Sequence, residues 1–335
     1  MQILEDGIVK NTLKSEELYP FPFLSAYQNV IQTTGNDQII WASDDGIYMP
    51  ALRRSKSGFS LLQCLFPPVR EGQRLSPENE AKFLNGLLRK LADERIVQRV
   101  IQSPTFALFQ SAPSNSVWAP FGSYVIDLSR QNISDIWMGM KSNYRQVIRK
   151  AEREGVTVLT GPDQLETFYS LYEATATRSH IYKEPYSNFL DLSTTLTSDH
   201  VYSSVAWVDG HPDGGIFILY SQFGAYVLHA GSANFVHHPG SMKLLHWTAI
   251  QYMKKGGVQF YDFVGARLTD VSGTPLNGIQ RFKSGFGSEL KKGVLWKCDI
   301  DPVRCKLADT VQYFRHRGNS QMKDIIDQEI PKIGA

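Results

Sequence analysis

Cysteine is scarce in this chain. Cys64, Cys298 and Cys305 form no CxxC pair, and an odd number cannot all pair with one another. That excludes a disulfide framework and points to reduced thiols. Charge of one sign is missing too: the formal net charge is +2. Coating nucleic acid over the whole surface is therefore excluded, while a local basic stripe is not. No apolar run approaches the roughly 18 residues of a membrane-spanning helix. The opening stretch "MQILEDGIVKNTLKSEELYPFPF" lacks the apolar core of a signal peptide. A cytoplasmic protein is expected, with at most a peripheral approach to a membrane. Repeats and low-complexity tracts are absent. No metal site is expected either, because His237 and His238 have no carboxylate or cysteine at ligand spacing.

What is present is ordinary globular composition, 42% apolar and 20% charged over 335 residues, enough for two cores. The first third reads strand, strand, strand, helix, strand. "DQIIWAS" and "GIYMPAL" flank the hairpin turn Asp44-Asp45-Gly46. "GFSLLQCLF" is a third strand, stopped at Pro67-Pro68. "SPENEAKFLNGLLRKLADE" is a helix with Ser76 as cap, Pro77 in its first turn, and Phe83, Leu84, Leu87, Leu88 and Leu91 on one face. "RVIQSPTFALF" returns to strand and loop, and the turn-rich "SAPSNS" marks a break. We divide the chain into 1–125 and 126–335.

The second part opens on one helix, "SDIWMGMKSNYRQVIRKAEREG", then a second, "PDQLETFYSLYEATATRS". A meander of "VYSSVAWV", "GIFILYS" and "AYVLHAGS" follows, with turns at Asp209-Gly210 and at Gln222-Phe223-Gly224. Next come the helix "PGSMKLLHWTAIQYMKKGG", the buried strand "VQFYDFVGA", a late strand "SELKKGVLWKCDI" and two terminal helices. This is an α+β order. It resembles the acyltransferase fold of the GNAT superfamily, and the strand–helix–strand order of the first part would be a degenerate copy of the same unit.

Five stretches carry chemistry. Lys141, Arg145, Arg149 and Arg153 recur every fourth residue and drift about 40° per step around the helix. They form either a solvated face or a phosphate track for RNA or a nucleotide-linked substrate. "HHPGSMKLL" puts Gly240 and Ser241 where a helix begins, which suits a plain cap or an anion. Asp262, among aromatics in "FYDFVGA", must be paired or carry a raised pKa, as a structural group or a base. His229 in "YVLHAGS" is a sheet histidine or a general base. Lys283 in "GIQRFKSGFG" packs its stem against Phe282 and Phe286. Its ammonium is either salt-bridged, with Asp262 as a partner, or aimed into a cleft to stabilise a developing oxyanion. The flanking glycines would let backbone approach a substrate.

Together these segments, in order over residues 130–290, resemble the FemAB-like branch of the GNAT superfamily, the peptidoglycan interpeptide-bridge aminoacyltransferases and their methicillin-resistance-related kin. The resemblance implies two GNAT-like domains with mixed, largely antiparallel sheets and a cleft between them. It implies transfer of an acyl group from aminoacyl-tRNA, acting as donor substrate rather than cofactor, to an amine of a peptidoglycan precursor. Lys283 matches the family's Phe-Lys lysine, and Arg178 in "TATR" matches an arginine that contacts precursor phosphates. Tyr182, Ser232 and Arg281 fall on the substrate-binding side with Gly240 and Ser241. The chain also departs from the family. Tyr27 in "FLSAYQNVIQ" is followed by no lysine, no long charged helical arm exists, and the glycine-rich pyrophosphate pattern is not met. A coenzyme A-dependent N-acyltransferase of envelope or exopolysaccharide synthesis, and a non-catalytic binding module of the same fold, are the alternatives.

Overall fold

The computed structural model describes residues 1–5, 9, 15–32, 35–315 and 323–333. Strands β2 (Asp37–Asp44) and β3 (Ile47–Lys56) are joined by Asp45 and Gly46, both in the left-handed region at φ 48° and 72°. This is the tight turn that an Asp-Gly pair favours. β1 (Gln2–Glu5) lies outside β2, and β4 (Phe59–Cys64) lies on the other side of β3. A small ribbon, β5 (Val69–Arg70) and β6 (Gln73–Arg74), branches from β3. After the short α1 (Ser25–Ile31), α2 (Pro77–Asp93) begins as expected, with the Ser76 hydroxyl accepting from the Asn79 amide. Its stripe of Phe83, Leu84, Leu87, Leu88 and Leu91 is buried. β7 (Arg99–Ile101) then runs parallel to β4.

β8 (Val117–Asp127) opens the second part. The single helix expected next is two, α3 (Ile133–Gly139) and α4 (Ser142–Arg153), broken by extended backbone at Met140 and Lys141. The break buries the Met140 side chain and lets the Lys141 amide donate to the Gly285 carbonyl at 3.0 Å. β9 (Thr157–Thr160) and α5 (Leu165–Arg178) follow. A helix that the sequence reading did not anticipate, α6 (Tyr186–His200), is kinked at Thr197. The meander is as expected: β10 (Val201–Val208), β11 (His211–Tyr220) and β12 (Ala225–Ser232) pair antiparallel. α7 (Ser241–Lys255), β13 (Phe260–Asp262), β14 (Ala266–Arg267), α8 (Pro275–Ser284), β15 (Glu289–Asp299), α9 (Pro302–Arg315) and α10 (Ile325–Glu329) complete the chain.

The main strand path runs β1-β2-β3-β4-β7-β15-β8-β13-β12-β11-β10-β9, mixed but mostly antiparallel. The late strand β15 is the seam. It pairs with β8 along Glu289–Lys297 and with β7 through Cys298 and Asp299. Aromatic contacts carry the core across it, with Phe21 against Tyr226 at 5.4 Å and Phe66 against Phe223 at 5.9 Å between ring centroids. A second core lies under α4 and α7 around Ile148, Leu245, Ile250, Tyr261 and Phe286.

One pairing decides where a ligand can enter. β12 and β13 are parallel neighbours only at Ala225–Tyr261 and Tyr226–Asp262. Beyond that point they separate, and a β-bulge between Phe217 and Ile218 opposite β12 adds a local twist. The far end of β12 packs on α5 instead, so closely that a Cβ on Gly231 would lie 2.7 Å from the Leu171 carbonyl oxygen. Backbone cannot give way there. Gly231→Ala should therefore lower stability by about 1–3 kcal/mol, the usual cost of overpacking, measured as a shift of the urea midpoint. An unchanged midpoint would mean that the α5–β12 contact is loose.

Candidate active site

A cavity of about 720 Å³ opens where β12 and β13 separate. Val227, Leu228 and Ala230 to Ser232 form one wall, Phe263, Val264, Gly265 and Arg267 the opposite one, and Met242 and His246 of α7 the floor. Helix α8 contributes Leu276, Gly278, Ile279, Phe282 and Lys283.

Lys283 sits in the last turn of α8, with its ammonium donating to the carbonyls of Val264 and of Gly265, the latter at 2.6 Å. Those carbonyls point inward because Val264 and Gly265 both adopt the left-handed region, at φ 52° and 71°. Glycine does so freely, but a β-branched residue there is strained, at a cost of about 1–3 kcal/mol. The Val264 amide is held in turn by the Asp262 carboxylate at 2.7 Å, which also accepts from the Ser123 hydroxyl. One strained peptide segment thus links the carboxylate to the ammonium. No contact ion pair joins them, so the salt bridge raised as one reading of Lys283 is not formed.

The electrostatics follow from burial. Desolvation pushes Lys283 down to about 8, opposed by the charge of Asp262. The same effect pushes Asp262 up to about 6, against its hydrogen bonds and the nearby cations Lys283 and Arg74. With two protons committed to carbonyls, the Lys283 ammonium has one N–H left for the cavity. Asp262 itself does not line the large cavity; it lines a second, smaller one of about 360 Å³, between the two halves of the chain. Phe66, Phe106, Phe223 and Phe260 wall it, Arg74 and Lys292 supply positive charge, and Tyr226 lines it with a hydroxyl that has no hydrogen-bond partner.

The other expected site residues divide. Arg178 stands at the mouth of the large cavity, donating to Asn234 at 2.6 Å, to Thr175 at 3.2 Å and to Ser232 at 3.1 Å. Thr175 and Ser232 line the cavity themselves, and Tyr182 is exposed beside the lining residue Ile181. Arg281 projects from α8 outside the cavity lining, and its carbonyl accepts from the Tyr144 hydroxyl at 3.4 Å. His229 is not brought to Lys283. It packs between Tyr172 and Phe189, each with its ring centroid 5.0 Å away, and burial pushes it down to about 4.

Gly240 and Ser241 are spent on the protein's own turn. Asp213 accepts from the His237 and His238 amides and the Ser241 hydroxyl, while the Gly240 amide donates to His238 Nδ1. A carboxylate thus already occupies the anion-favouring start of α7. The basic stripe is also partly used. Arg145 donates to the carbonyls of Met138 and Met140 that end α3, and Arg149 stacks 5.4 Å over Trp137. Lys141 lies in the break between the helices, so only Arg149 and Arg153 of the four remain exposed on α4.

The glycines near Lys283 likewise approach the protein, not a substrate. The Tyr144 ring fills the space where Gly285 would carry a side chain, and Gly287 abuts the Gly139 carbonyl. Sequence reading missed His246, whose Nδ1 meets the Tyr261 hydroxyl at 2.8 Å in the cavity floor. Burial and Lys283 push it down to about 3, so it is neutral. A lone histidine on the apolar face of "LLHWTAIQYM" was the available signal.

Comparison with known proteins places this geometry. Residues 139–284 match the acetyltransferase (GNAT) domain family. This segment has the GNAT acyltransferase fold. FemX shares the fold with a TM-score of 0.67 at 14% identity, over 92% of this chain and 99% of FemX. A C-terminal domain assigned to a lysylphosphatidylglycerol synthetase of Agrobacterium fabrum gives 0.53 at 14% identity, over 86% and 92%. L-PGS of Bacillus licheniformis gives 0.50 at 16% identity, over 83% and 89%. No curated protein matches the sequence. At these identities the structural likeness is one of fold alone, the GNAT acyltransferase fold. Among the described residues no helix is long and apolar enough to cross a membrane.

The Asp262–Lys283 coupling can be read directly. Asp262→Asn keeps the acceptor oxygen for Ser123 and Val264 but removes the charge that supports the ammonium. The Lys283 midpoint, followed by NMR of labelled lysine side chains, should fall below its wild-type position near 8. An unmoved midpoint would show that the two groups do not interact.

Proposed function

We propose that this protein is an N-acyltransferase that moves an acyl group from an activated ester or thioester to an amine of an envelope precursor. The observation that carries the reading is the Lys283 ammonium, fixed by two carbonyls at the wall of the cavity between the diverging strands. A carbonyl placed there would meet one preorganised cationic donor where negative charge develops during attack. The amine nitrogen attacks the carbonyl carbon, the bond to the carrier oxygen or sulfur breaks, and the amine's proton leaves to the departing group or to Asp262. His229 is replaced in this scheme, because it lies in an aromatic core away from the cavity.

Arg178 supports a phosphate-bearing acceptor. Its guanidinium is oriented by Asn234, Thr175 and Ser232 at the cavity mouth, in the position where the FemAB-like resemblance puts a phosphate-contacting arginine. The division at residue 125 would put the smaller cavity, with Arg74 on one side and Asp262 on the other, between two units. The FemAB-like resemblance of the sequence supports a second reading of the donor as aminoacyl-tRNA, with a wall-peptide amine as acceptor. Filter binding of charged tRNA, with and without excess acetyl-coenzyme A, separates the carriers. Saturable, salt-sensitive binding that the thioester does not displace would support tRNA, and no binding would sink it.

Lys283→Met should reduce kcat by about 10²–10³-fold, the usual loss on removing one oxyanion donor, with little change in KM. Turnover at the wild-type rate would remove Lys283 from the mechanism. If Asp262 is the base, kcat should follow a bell. It rises with pH through about 6 as Asp262 ionises and falls through about 8 as Lys283 loses its proton. Asp262→Asn should abolish the acidic limb. A limb that persists would move the base to the substrate.

A further inference from the structure

We infer that the acyl group carried by this site is an unbranched hydrocarbon chain, laid along the apolar face of α8, and not an aminoacyl group. The inference rests on the acyl-transfer reading and names the class of its donor.

Helix α8 is amphipathic, yet none of its residues is buried. Phe282 packs against the second core, but Leu276 and Ile279 do not join either core. Leu276 and Ile279, 37% and 48% exposed, line the cavity instead, facing Met242 of α7, with Ile181 at the mouth. A helix that keeps such a face out of the core is built to cover something apolar.

Charge gives the second argument. Among the described residues no aspartate or glutamate lines the large cavity, and its titratable lining residues are His246, Arg267 and Lys283. The α-ammonium of an aminoacyl ester would enter beside the Lys283 ammonium, and Glu329, the carboxylate beside Arg267, is already paired with it at 2.8 Å, which leaves none in the lining to receive the ammonium. His246, held neutral, offers no counter-charge. Like charges in a desolvated site repel strongly, whereas a hydrocarbon chain meets no such penalty.

Space gives the third. Gly278 lies inside α8, where glycine is a poor helix former. A Cβ built on it meets nothing within 4 Å, and the residue lines the cavity. Its missing side chain leaves open space one turn before Phe282, on the flank of the face that carries Leu276 and Ile279. The cavity of about 720 Å³ is far larger than an acetyl group needs. Because the reacting carbonyl must sit at Lys283, the chain that continues from it along α8 belongs to the donor. For a thioester, the amine nitrogen forms the new C–N bond, the C–S bond breaks, and the thiol leaves with the amine's proton.

Calorimetric titration with straight-chain acyl thioesters of N-acetylcysteamine tests this without a known acceptor. Affinity should rise about four-fold per added methylene until the open space is filled, the factor expected for burying a CH₂, and then level off. In Gly278→Phe the plateau should come at a shorter chain, with a thermal midpoint at least that of the wild type. Alanyl and lysyl thioesters should bind no better than acetyl. A flat series, or tighter binding of the aminoacyl thioesters, overturns the inference. Tightening along a series of alkylamines but not of thioesters would assign the space to an acceptor's tail and overturn the inference equally. The series is also read in Lys283→Met. A chain-length dependence retained there, with turnover unaffected by the substitution, would sink the role of Lys283 and leave the chain site standing. A flat series with turnover lost would do the reverse.

Discussion

The site depends on a single strained peptide segment. Val264 and Gly265 both take left-handed backbone, which turns two carbonyls onto the Lys283 ammonium and one amide onto Asp262. Valine would not adopt this conformation unaided. It persists because a buried cation without acceptors and a buried carboxylate without donors would each cost more than the strain does. The strand β13 ends here for the same reason: a chain bent to serve two charged groups cannot go on pairing with β12. The cavity is the consequence.

That cavity is bounded by elements whose positions are fixed elsewhere. α8 is pinned at its C-terminal end, where the Tyr144 hydroxyl donates to the Phe282 carbonyl and the Lys141 amide reaches Gly285. Its other face is tied by Gln280, which donates to the Arg267 carbonyl. The break between α3 and α4 is what makes the Lys141 contact available. An uninterrupted helix would satisfy that amide internally, and α8 would lose an anchor. The same break sends the Arg145 guanidinium to the end of α3, so part of the basic stripe is a device for holding two helices at an angle.

The carrier of the acyl group leaves a fainter trace than the group itself. A pyrophosphate would favour the start of α7, but Asp213 sits there, accepting from the Ser241 hydroxyl and from the His237 and His238 amides of the preceding loop. A polynucleotide would favour the α4 stripe, but Arg145 is committed to carbonyls and Arg149 to an indole. The Lys283 wall, in contrast, is built wholly of groups that hold the ammonium at one point, and the α8 face beside it is apolar along its length.

How much of this was legible depended on the range of the interaction. Strands with alternating pattern, the Asp-Gly turn, the Ser76 cap and the meander are local, and the sequence determined them by propensity and periodicity. Lys283 and Asp262 also stood out, because a charge among aromatics is conspicuous in one dimension. The break at Met140 was not legible, since it is driven by Gly285 far along the chain. Nor was the packing of His229 into an aromatic cluster, or the capture of the α7 start by Asp213. Helix α6 escaped because its polar, β-branched stretch shows little periodicity and packs through the lone deeply buried pair Phe189 and Leu196. Tertiary structure alone decided that Lys283 and Asp262 communicate through Val264 and that β12 and β13 part beside them. A buried charge chooses its partners by distance in space, and no spacing along the chain records that distance.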